Sequence, residues 1–247
     1  MKKFLTLVSS VLIALPASAE TLVKKQPTVP PYSLAAMGCM ILRECTEGVE
    51  QLTPDSAFLS GKEFDNFRTE IKSILAALNK LNVSVYIGPS RYFTPRTIGL
   101  YKPEYNRFFI NESLIQDPRE FLGTLRHEGW HTVQDCMGGG LKTSFMAQVH
   151  QDAEIPAWVM KMTKLAYESM GQSRAVPWEA DANWAEEQSN QTVKYLEMCA
   201  KAPLWEQVRP TPMTMEWLIG CGWMKSQEGY KEYTPNKKAE YCVEGKY

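Results

Sequence analysis

The chain has 247 residues, with 27 basic and 28 acidic side chains, 44% hydrophobic and 22% charged residues. So even a charge balance gives no polybasic footprint for nucleic acid or for an anionic membrane surface, and the hydrophobic share excludes a disordered chain. The length suffices to bury a full core, as one large domain or one domain with a small appendage.

The chain opens on a secretory signal pattern. Lys2 and Lys3 form a basic start, residues 4–15 an apolar run, and Ala17-Ser18-Ala19 a small-residue cleavage site. Cleavage after Ala19 would leave 228 residues, with 25 basic against 28 acidic side chains. The apolar run is too short for a spanning helix, and no later stretch reaches that length. The expected location is therefore the periplasm or the cell exterior, with no membrane attachment after cleavage. All six cysteines follow the signal: Cys39, Cys45, Cys136, Cys199, Cys221 and Cys242. An even number in a secreted chain predicts disulfides. Locality suggests Cys39–Cys45 and Cys221–Cys242. No two cysteines have the CxxC spacing of a zinc–thiolate site.

Residues 20–55 read as an N-terminal arm with a disulfide loop, and Pro27, Pro30 and Pro31 extend its first part. Ser60-Gly61-Lys62-Glu63 is a capping-box pattern. It predicts a helix with Phe64, Phe67, Ile71, Ile74, Leu75, Leu78 and Leu81 on one face. Residues 83–87, 98–101 and 107–111 read as short strands, the last two joined by a turn through Pro103 and Asn106. Asp117-Pro118 starts a second helix, with Phe121, Leu122, Leu125 and Val133 on its apolar face and Gly138 at its end. A third helix is expected from about Pro156 to Gly171, with Val159, Met162 and Ala166 inward. A fourth is expected from about Pro177 to Cys199. Residues 202–247, rich in Trp, Gly, Pro and Lys, read as a cysteine-clipped tail. This order predicts an α+β domain over residues 56–201 with a small antiparallel sheet packed on helices.

The second helix carries His127-Glu128-Gly129-Trp130-His131. Histidines four apart project from one helix face and can share one metal ion. Glu128, turned by about 100° from His127, is placed to act on a metal-held water without ligating the metal. Zinc would lower the pKa of that water to about 7, and the carboxylate would accept its proton. Two of the three histidines in the chain lie in this motif. The plainer alternative is a histidine pair on an ordinary helix.

A catalytic zinc needs a third protein ligand. The extended pattern HExxHxxGxxH would put a histidine at 137, and Met137 rules it out. Four candidates remain: Glu179, His150, Glu154 and Asp181. An acidic residue in a first helical turn can also simply complement the helix dipole. Asp181, if not a ligand, could orient a histidine through its second ring nitrogen. Tyr101, Tyr105, His150 and Tyr167 are candidates for stabilising charge on a substrate oxygen.

The motif, with Glu179-Ala180-Asp181 downstream and the strands around Gly99-Leu100-Tyr101 and Phe108-Phe109-Ile110, resembles a zincin metallopeptidase of the gluzincin type. The resemblance covers about residues 62–200. It implies a zincin-like domain and Zn2+ held by His127, His131 and Glu179, with Glu128 as the catalytic base. It also implies a peptide or protein substrate lying along an edge strand. On this picture a Cys136–Cys199 bridge would tie together the two helices that donate the metal ligands. Two other functions compete: a non-catalytic zincin-like extracellular binding protein, and a metal-dependent hydrolase of some non-peptide substrate. A closed four-ligand site would favour the first of these.

Overall fold

The structure, a computed structural model, describes residues 26–141, 146–204 and 207–208. Among them are six α-helices and one four-stranded mixed sheet. The signal pattern, the Cys221–Cys242 expectation and nearly all of the tail lie outside the described residues.

The stretch read as an arm holds α1 (Leu34–Ile41), capped by the Ser33 hydroxyl accepting from Ala36 N. It also holds β1 (Glu50–Leu52), which joins the sheet. The Cys39–Cys45 disulfide closes the loop after α1. The expected capping box does not start a helix. Residues 57–60 and 62–64 form 3-10 turns instead, and α2 runs over Arg68–Lys80. The cause is packing: Phe58, Phe64 and Phe121 stack edge-to-face, and Arg68 satisfies the carbonyls of Leu59 and Gly61. Tertiary contact has overridden a local capping signal.

β2 (Ser84–Gly88), β3 (Gly99–Lys102) and β4 (Arg107–Asn111) fall where the sequence puts them. Their arrangement corrects the antiparallel expectation. The order is β1-β2-β4-β3, and β2 pairs with β4 in parallel, Val85 opposite Phe108. Residues 89–98 carry the chain past the β4 position to the far edge, so that β3 returns antiparallel to β4 through a left-handed Asn106. Alternation then splits the side chains. Val85, Ile87, Phe108 and Ile110 face the main core under the long helices, and Phe109 packs with Met40, Tyr92 and Phe93 beneath α1.

α3 (Pro118–Met137) is the central helix. Asp117 caps it by accepting from Arg119 N and Glu120 N, and it is buried almost continuously from Phe121 to Met137. Gly129 lets α3 approach α6 closely, because a Cβ there would meet Thr192 at 2.9 Å.

Three further expectations need correction. In α4 (Ala157–Ser169), Met162 and Ala166 face solvent, and the inward residues are Val159, Thr163 and Tyr167. The fourth helix divides into α5 (Val176–Glu186) and α6 (Gln191–Lys201), with Asn190 left-handed at the break. The Cys136–Cys199 disulfide is present, but Cys199 lies on α6 and Glu179 on α5. The bridge therefore ties α3 to a helix that carries none of the candidate ligands.

Candidate metal centre

His127 and His131 lie one turn apart on α3, their rings edge-to-face at 4.9 Å. α5 packs across them and carries Glu179 in its first turn. The Nε2 atoms of His127 and His131 stand 3.3 and 3.7 Å from the same Oε2 of Glu179. These three residues form the one group among the described residues that could hold a metal ion, with ligand atoms within 4.8 Å of one another. Bonds of about 2.0–2.2 Å in a tetrahedral site put ligand atoms roughly 3.3–3.5 Å apart. The two histidine-to-carboxylate separations lie close to that spacing, so the residues fit a metal ion.

Around this group the electrostatics are strongly coupled. Burial works against a charged His127, yet the carboxylates of Glu179 and Glu186 outweigh it and lift the ring to about 10. For His131, too, burial opposes the charge, and Glu179 raises it nonetheless. Burial alone would raise Glu179, but hydrogen bonds from both histidines hold it well below the usual carboxylate range. Burial pushes Glu128 up, and the two histidines only partly counter this. Its Oε2 accepts from Tyr101 N at 2.7 Å. That contact requires a glycine in β3: a Cβ on Gly99 would meet the Glu128 side chain at 2.7 Å and Thr124 at 2.6 Å.

The group opens into a cleft of about 650 Å³, bounded by Ile98, Leu100, Met146, Tyr167 and Met170. β3 forms the edge of the sheet on that side. The Tyr167 hydroxyl donates to Glu179 Oε2 at 2.6 Å, and burial followed by the Glu179 charge raises its pKa.

The other sequence candidates lie apart. His150 stacks on Trp130 and holds Asp181 through Nδ1 at 2.6 Å. Asp181 is fully buried and does not reach the metal group. Glu154 sits in an exposed 3-10 turn (Asp152–Glu154) and accepts from Gln151 N. Tyr101 lines the cleft but its hydroxyl donates to Asp135, and Tyr105 faces solvent.

Sequence reasoning missed two residues. Gln134 Oε1 meets His131 Nδ1 at 2.8 Å, and Glu186 Oε2 stands 3.4 Å from His127 Nδ1. Helical spacing held the signal: Gln134 follows His131 by three residues, and Glu186 follows Glu179 by seven. Comparison with protein-family models, curated proteins and solved structures gives no match.

Proposed function

We propose that the protein is a secreted zinc-dependent peptidase of the gluzincin kind. The reading is carried by one observation: His127, His131 and Glu179 converge from two helices in an open cleft, beside a buried carboxylate, Glu128, already oriented by a backbone N–H. Zinc is favoured by the donor set, two imidazoles and one carboxylate with space left for a water. When bound it would polarise the scissile carbonyl and lower the pKa of a water to about 7.

This chain's residues supply the rest. Glu128, with Oε2 held by Tyr101 N–H, takes the water proton as the oxygen–carbon bond forms. It passes that proton to the leaving amine as the carbon–nitrogen bond breaks. The Tyr167 phenol, kept protonated by burial and by Glu179, turns its one O–H from Glu179 Oε2 to the carbonyl oxygen as charge develops there. The β3 edge offers an extended peptide its backbone groups, and the apolar residues lining the cleft receive side chains. The two disulfides accord with an oxidising compartment, and the signal pattern with export.

The test is Glu128→Gln. It should keep the metal content of the wild type and cut hydrolysis of a peptide library by about 10²–10⁴-fold. Full peptidase activity in that variant would contradict the mechanism.

A further inference from the structure

Gln134 is fully buried, and each end of its amide is committed. Nε2 lies 2.8 Å from the Trp178 carbonyl oxygen and 2.9 Å from Asp181 Oδ2. Both of these are acceptors, so the amide end that faces them must be the NH2 group. Oε1 therefore points at His131 Nδ1, 2.8 Å away. An amide oxygen only accepts, so His131 carries its proton on Nδ1. In the neutral ring, the form that binds a metal, Nε2 is then the unprotonated nitrogen, and it stands 3.7 Å from Glu179 Oε2.

Asp181 fixes this arrangement from behind. Its buried carboxylate also accepts from Val149 N at 2.8 Å, His150 N at 3.2 Å and His150 Nδ1 at 2.6 Å. Four donors converge on two oxygens, so neither oxygen is free to turn. His150 is held in turn by Gln191 at its Nε2, at 2.6 Å, and by stacking on Trp130.

We infer that Gln134 is a positioning residue for the metal site: it selects the His131 tautomer that leaves Nε2 as the ligand atom, and Asp181 locks the Gln134 amide in the orientation this requires. The inference rests on the metal-site reading above. The two histidines are served differently. His127 Nδ1 faces the Glu186 carboxylate, whereas His131 Nδ1 meets a neutral amide that cannot take its proton.

The test compares zinc affinity with stability in two variants, by competition with a chromophoric chelator and by urea unfolding of the chelator-treated protein. Gln134→Met keeps the side-chain size and removes the acceptor. Zinc affinity should fall by about 10–100-fold. Gln134→Glu keeps an acceptor at Nδ1 but sets a carboxylate against Asp181 and the Trp178 carbonyl. It should be the less stable of the two variants and bind zinc the more tightly. A merely structural role gives the opposite ranking, with affinity following stability, and that result overturns the inference. Wild-type affinity in Gln134→Met overturns it as well, while leaving the metal site standing.

If neither variant folds, the imidazole nitrogen spectrum of zinc-loaded wild type decides. His131 bound through Nε2 with a proton on Nδ1 is expected, and binding through Nδ1 overturns the inference. A folded wild type that takes up no zinc overturns the metal-site reading and this inference together.

Discussion

One oxygen, Oε2 of Glu179, receives the Tyr167 hydroxyl and faces both histidine Nε2 atoms. Of the oxyanion candidates from the sequence, Tyr101 and Tyr167 both line the cleft, but the Tyr101 hydroxyl is turned to Asp135 and that of Tyr167 lies on the ligand group. If Tyr167 donates to the developing charge, Tyr167→Phe should lower kcat on the order of 10²-fold and leave KM and zinc content nearly unchanged. Steady-state kinetics on a peptide substrate, with metal analysis of the same sample, checks this. At this scale His127, Glu128 and His131 were legible because their chemistry is compressed into five residues. Glu179 was one of four candidates until the path of α5 brought it to the histidines. Gln134 and Glu186 carried only a helical spacing to mark them, and glutamine and glutamate are too common on helices for that spacing to single them out.

Elements were legible where the local signal and the packing agree. Asp117-Pro118 caps α3 as its residue types require, and the three strands come within a residue of their expected bounds. Misreadings arose where tertiary contacts decided. The phenylalanine cluster displaced the start of α2, and the parallel β2–β4 pairing depends on the route of residues 89–98. The break between α5 and α6 did have a local mark in Ser189-Asn190. There Asn190 N donates to Glu70 Oε1, and Glu70 also binds Arg126 at 2.7 and 2.8 Å. The break also separates the disulfide from the ligands. Replacing both Cys136 and Cys199 by Ala removes a cross-link spanning 63 residues, worth about 4 kcal/mol in the chain-entropy view. Urea unfolding should show a loss of that order, and zinc stoichiometry at room temperature should be unchanged. Loss of the metal with the disulfide would mean that α6 holds the site after all.

Over the whole molecule, the proposed metal binding would be linked to protonation and stability. Burial opposes the charge on His127, but Glu179 and Glu186 raise it from the ordinary 6.5 to about 10. The sign follows directly. A raised folded-state value stabilises the metal-free protein fully below about 6.5, and that contribution is lost as pH rises through about 10. Zinc needs the same ring neutral, so its uptake must displace the proton. Glu179, held below the usual range, takes up no proton in this interval. The stabilisation conferred by zinc, read as the Tm difference between zinc-loaded and chelator-treated protein, should therefore be larger at about pH 8 than at about pH 6. An equal difference at the two values would show that His127 is not a ligand.

The most direct test of the account is the metal content of the purified protein, wild type beside Glu179→Ala, after zinc is supplied and excess removed. One zinc per chain in the wild type and far less in the variant is the predicted result. A folded wild type without zinc, or equal zinc in both proteins, would contradict the metal centre and the peptidase built on it.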